Sequence, residues 1–181
     1  IARGVRDFPS LSVRETKGAE IIRSSSGREA IVISDPTLVL TPEDWRRVSD
    51  SHLTPGTPYV LTYLLGGLSD DTRKVLDRVT DYGSLPVVSL SDREGPEEPP
   101  AGPAEFISLI DSAAHVVTDS FHAAVFSCIL QTPLTIVRRE GGSEMFSRLE
   151  TLARSLNITH KINGNADFNL SRAGDFDEVP E

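Results

Sequence analysis

Apolar positions along the chain follow two rhythms. From Tyr59 onward, contiguous apolar runs alternate with stretches whose apolar residues recur every three or four positions. Contiguous runs rich in β-branched residues predict strands buried on both faces, and the longer spacing predicts amphipathic helices. Strands are expected at residues 59–65, 85–90, 115–118 and 134–138. A helix is expected at 69–82, with Val75, Leu76 and Val79 on one face, and another at 104–114, with Phe106, Ile107, Leu109, Ile110 and Ala113 at helical spacing. A nearly all-apolar helix is expected at 121–130. Ser143 is expected to cap a last helix that turns Phe146, Leu149, Leu152, Ala153 and Leu156 inward. Strands joined through helices run parallel, so the pattern predicts an α/β fold with a Rossmann-like, open, doubly wound parallel sheet.

The first part of the chain is less regular. Residues 11–13 form a short apolar stretch ending at Arg14, and 18–23 read as a short helix. Ile31, Val32 and Ile33 predict a buried strand over 30–34, closed by the turn signal Asp35-Pro36. Thr41-Pro42-Glu43-Asp44-Trp45 is a helix start: Thr caps, Pro takes the first helical position and two acids face the positive end. Four prolines and two glycines make 94–103 a loop. The opening at Ile1 and the uncapped end read as a piece cut from a longer protein. Apolar surface is then expected around Val13, Ile21 and Ile22, either open or covered by a second copy of the chain.

Composition narrows the function classes. The 181 residues hold 18 Lys and Arg against 27 Asp and Glu, a net charge of −9. That argues against a general nucleic-acid binder, though a local pocket can still be positive. No apolar run approaches the roughly 18 residues of a membrane span. The single cysteine, Cys128, excludes an internal disulfide and a cysteine-rich zinc site, and it reads as a buried spacer in an apolar helix. The expected setting is a reducing, cytoplasmic one. None of the four histidines pairs at metal-ligand spacing, so neither a metal nor a cofactor is expected.

In an open parallel sheet, ligands bind beyond the carboxyl ends of the strands. The candidate segment is Val117-Thr118-Asp119-Ser120-Phe121-His122. There the free N–H groups of a helix start attract anions, and His122 can donate to an anion or move a proton near neutral pH. The alternative is that Asp119 or Ser120 is simply a helix cap and His122 a surface residue. Contiguous Asp-Ser-x-His cannot form a serine triad. His115 begins a strand at the opposite edge, and His52 and His160 sit in polar segments. Arg14 either forks an anion or pairs with Glu15 or Glu20 at the surface. Arg138 and Arg139 end a strand on the ligand side or form a solvated edge. Gly141-Gly142-Ser143 precedes a helix but lacks the phosphate-loop pattern.

Four segments occur in order across about residues 10–157: Leu11-Ser12-Val13-Arg14-Glu15, the stretch from Ser34-Asp35-Pro36 through Trp45, Val117 to His122, and Ser147-Arg148-Leu149-Glu150-Thr151-Leu152. As an ordered set they resemble the polysaccharide pyruvyl transferase family. The resemblance implies a GT-B-like glycosyltransferase architecture of two facing Rossmann-type domains. On that reading 1–34 are the tail of an N-terminal domain, 35–58 a crossing segment, 59–160 most of the C-terminal domain and 161–181 its extension. Members transfer the pyruvyl group of phosphoenolpyruvate to sugar hydroxyls, forming a pyruvate ketal on a polysaccharide. Phosphoenolpyruvate and a glycan acceptor are therefore the implied partners.

The family's donor-site arginine and histidine fall on Arg14 and His122. Some members carry Arg-Leu-His where this chain has Ser120-Phe121-His122, so Arg138, Arg139 or Arg148 is expected to supply the second phosphate-binding cation. His-Ala-Ala also stands where many members have His-Gly-Thr. Two other readings share the architecture: a nucleotide-sugar glycosyltransferase, and a binding module of the same fold that has lost catalysis.

Overall fold

The structure is a computed structural model and describes residues 2–90, 101–139, 146–165 and 168–170. A short helix α1 (Ala2–Val5) leads to strand β1 (Ser12–Val13), helix α2 (Thr16–Ser26) and strand β2 (Ile31–Val32). A 3-10 turn, Pro36–Val39, and helix α3 (Pro42–Arg47) then lead to the main body. That body alternates β3 (Val60–Tyr63), α4 (Asp70–Val79), β4 (Val87–Ser89), α5 (Pro103–Asp111), β5 (His115–Thr118), α6 (Phe121–Leu130), β6 (Leu134–Ile136) and α7 (Ser147–Ser155). A second 3-10 turn, Thr159–Lys161, follows.

The four main strands form one parallel sheet in the order β4-β3-β5-β6. This is the expected α/β, Rossmann-like arrangement, and the register sets Val60 beside His115 and Val116 beside Leu134. β1 and β2 make a separate two-stranded parallel sheet. The core lies between the main sheet and α5, α6 and α7. Tyr59, Leu61, Ile110, Val116, Leu134, Ile136, Ile158 and Ile162 are almost wholly buried there. Trp45 meets Phe126 edge-on at 4.9 Å, and its Nε1–H donates to the Thr37 carbonyl at 3.2 Å. The crossing segment is thereby pinned to α6. The expected cap at Thr41 is a full capping box with Asp44. Among the described residues no helix is long and apolar enough to cross a membrane.

Several elements differ from expectation. The strand expected at 30–34 shrinks to Ile31–Val32 and is not buried, with Ile31 69% and Val32 41% exposed. It pairs only with β1, and a two-stranded sheet packed on α2 has no second layer for its other face. β4 is shorter than 85–90 and leaves Val87 exposed, because it is the sheet's edge. Of the three residues expected at an apolar surface, Ile21 is exposed, while Val13 and Ile22 are half-buried. His160, placed by sequence in a polar segment, is buried. α7 starts at Ser147 after Phe146; Ser143, Gly141 and Gly142 lie outside the described residues, as does most of the 94–103 loop.

Candidate functional site

The carboxyl edge of the main sheet is built around the end of β5. Asp119 is not a helix cap. Its carboxylate accepts from the Leu65 and Gly66 N–H groups at 2.7 and 2.8 Å and from Arg139 Nε at 3.0 Å. It therefore ties the β3–α4 loop and the end of β6 to β5. A Cβ on Gly66 would fall 2.1 Å from Arg139 Cγ, so this knot closes only around glycine. Ser120 takes the N-cap position of α6, but its side chain caps nothing. The first turn of α6 is left without the usual side-chain acceptor.

His122 sits in that first turn with its side chain 49% exposed. Arg14, just past β1, pairs with neither Glu15 nor Glu20. Ser147 donates to Glu15, and Lys17 pairs with Glu20 at 3.4 Å. Arg14 instead donates through Nη1 to Asp35, just past β2. The Asp35 side chain is only 2% exposed. Its Oδ1 accepts from the Thr37 N–H at 3.1 Å and the Thr37 hydroxyl at 2.8 Å. Burial alone would push this carboxyl up; the Thr37 donors and Arg14 together hold it below the ordinary aspartate range. The same carboxylate lies 3.9 Å from His122 Nε2. Three segments that each follow a strand's carboxyl end thus converge on one charge.

Around this point is a cleft of about 130 Å³, lined by Arg14, Asp35, Leu38 and Phe121, with Thr151 and Ser155 of α7 opposite. Phe121 is also a wall of a second, smaller hollow, shared with Asp119, Arg139 and Arg148. Its ring meets His122 edge-on at 5.4 Å, and the Arg148 guanidinium lies 5.5 Å from its centroid. The three candidate arginines therefore differ. Arg139 is committed to Asp119. Arg138 turns away, over the Phe146 ring at 4.4 Å and toward Asn165 and Glu150. Arg148 makes no ion pair among the described residues.

The family model for polysaccharide pyruvyl transferase matches residues 2–140. The chain belongs to that family. No curated protein and no solved structure matches it. The part shared with the polysaccharide pyruvyl transferases contains Arg14, Asp35, Ser120, Phe121, His122, Arg138 and Arg139; Arg148 lies beyond it. The family is one of enzymes. Asp35 was read from sequence only as a turn residue. Its signal was positional: an acid directly after a strand, at the edge where open parallel sheets bind ligands.

The remaining histidines lie elsewhere. His115 Nε2 contacts the Thr135 hydroxyl at 2.9 Å near the opposite edge of the sheet, as its place at the start of β5 implied. Asp50, His52 and Glu105 gather ligand-type atoms within 4.8 Å of one another, through space rather than through sequence spacing. His52 and Asp50 are exposed and bonded to each other at 2.9 Å. Burial pushes the Cys128 thiol up to about 12, which leaves it inert as a spacer.

Proposed function

We propose that this chain carries the donor site for transfer of a pyruvyl group from phosphoenolpyruvate to sugar hydroxyls of a polysaccharide. The observation that carries this reading is the meeting of Arg14 and His122 at Asp35, beside an uncapped helix start. Phosphoenolpyruvate bears a carboxylate and a phosphate. A guanidinium fork suits the first, and the α6 N–H groups with Arg148 suit the second. The apolar wall of Leu38 and Phe121 suits the methylene between them.

In the reaction C3 gains a proton, which makes C2 electrophilic. One sugar hydroxyl adds at C2, phosphate departs with the C–O bond electrons, and a second hydroxyl closes the ketal. The hydroxyl protons replace those taken up at C3 and by the leaving phosphate. His122 is the group placed to supply the proton, and Arg14 and Arg148 steady the anionic donor. The presence of two separate parallel sheets, with candidate donor-site residues past the ends of both, supports a GT-B-like pair of Rossmann-type units.

Donor choice tests this. Phosphoenolpyruvate is expected to raise the Tm of the protein, and a nucleotide sugar is not. Phosphate release from phosphoenolpyruvate is expected only with a glycan acceptor present. Stabilisation by the nucleotide sugar alone would favour a glycosyltransferase, and phosphoenolpyruvate binding without turnover would favour a binding module.

A further inference from the structure

Asp35 is a buried charge held on both of its oxygens. A carboxylate with 2% of its side chain exposed is costly to hold in the fold unless its oxygens are satisfied. Thr37 satisfies Oδ1 twice, from its backbone and its hydroxyl. Thr37 is itself held, since Trp45 donates to its carbonyl and packs on Phe126 of α6. Oδ1 is thus locked to the core. Oδ2 takes Arg14 and stands 3.9 Å from His122 Nε2. That distance is too long for a hydrogen bond and leaves the ring beside the carboxylate. A carboxylate anchored on one oxygen, with the other against the Arg14 guanidinium and near the His122 ring, has a geometry that a surface ion pair lacks.

We propose that Asp35 is a positioning residue for the transfer. It fixes the Arg14 fork from one side and biases the His122 ring from the other, so that the donor meets both in one arrangement. The inference rests on the pyruvyl-transfer reading for its substrate, but the Asp35–Arg14–His122 coupling is a property of the chain itself. Asp35 acts through its neighbours and takes no part in bond making.

The test is a double-mutant cycle on the whole protein. Asp35→Asn keeps the shape and the Oδ1 acceptor for Thr37 but removes the charge. It is expected to raise the KM for phosphoenolpyruvate about tenfold, the factor typical of a lost charge-assisted hydrogen bond. In an Arg14→Ala background the same change is expected to cost clearly less, because only the His122 ring is left for it to position. A loss of equal size in both backgrounds would mean that Asp35 serves only the fold, and would overturn the proposal. If Asp35→Asn lowers the Tm strongly, Thr37→Val provides the second variant. It removes the hydroxyl donor to Oδ1 while leaving the backbone donor and the charge, and is expected to weaken donor binding more with Arg14 present than in its absence. If the wild-type protein releases no phosphate from phosphoenolpyruvate, the transfer reading falls alone. The cycle is then read on binding of inorganic phosphate, where additive losses, or no binding at all, overturn the Asp35 proposal.

Discussion

His122 Nε2 stands 3.9 Å from Oδ2 of Asp35, although one residue opens α6 and the other follows β2. The ring therefore lies beside a buried carboxylate and is half open to solvent. Replacing His122 by Ala is expected to lower kcat for pyruvyl transfer by about 10²–10⁴-fold, the usual loss of a general acid. Steady-state kinetics with phosphoenolpyruvate and a glycan separate the roles. A raised KM with unchanged kcat would make the histidine a phosphate contact only.

The three arginines of the sheet edge are expected to separate in the same assay. Arg148, stacked against Phe121 and without an ion pair among the described residues, is the cation available to the donor phosphate. Arg148→Ala is expected to raise the donor KM about tenfold or more, as for loss of a charge-assisted contact. Arg138→Ala is expected to leave it within about twofold, since that side chain is held on Phe146 and Asn165. Equal losses from both would mean that long-range charge, not contact, governs donor binding.

Gly66 is expected to tolerate no side chain. A Cβ there would lie 2.1 Å from Arg139 Cγ and 3.0 Å from Asp119 Oδ2. Gly66→Ala must push Arg139 off Asp119, whose side chain is only 2% exposed. A cost of about 1–3 kcal/mol follows, from overpacking and a lost partner to a buried carboxylate. Urea unfolding of Gly66→Ala, Arg139→Ala and the double variant checks the cause. With the arginine gone, the added methyl is expected to cost little more. A full penalty in the double variant would place the strain in the backbone.

Most of the main sheet was legible in the sequence because burial on both faces leaves a one-dimensional trace. Val60-Leu61 and Val116-Val117 are contiguous apolar pairs, Leu134 and Ile136 flank Thr135, and all six lie buried in parallel strands. The same trace misled at Ile31–Ile33, where the pattern is that of a buried strand and the residues are exposed. A run of β-branched residues records what a strand is suited to, and not how many layers cover it. His122 was legible because it follows a strand end by a few residues. The partner of Arg14 was not, because Asp35 reaches it through the pairing of β1 with β2, which no local spacing encodes. Arg148 could be named as a candidate from its helix, but only packing on Phe121 separates it from Arg138 and Arg139.

His115 gives the fold a pH dependence of its own. Burial, helped by the nearby charge of Lys161, pushes its imidazole down to about 4 from an ordinary 6.5. The neutral ring is held against the Thr135 hydroxyl at 2.9 Å, between the first residues of β5 and β6. The sign follows from proton uptake. Between pH 6.5 and about 4 the unfolded chain binds a proton at this position and the folded chain does not. The contribution is therefore complete above pH 6.5 and is lost as the pH falls toward 4. A shift of this size corresponds to at most roughly 3 kcal/mol, and less to the extent that solvent reaches the half-buried ring. His115→Gln keeps a polar partner for Thr135 and cannot take up the proton. Urea unfolding at a series of pH values between 7 and 4 is expected to show the wild-type protein losing stability faster than this variant, the two curves converging or crossing at the acid end. Parallel curves would mean that His115 takes up its proton equally in the folded and unfolded chains.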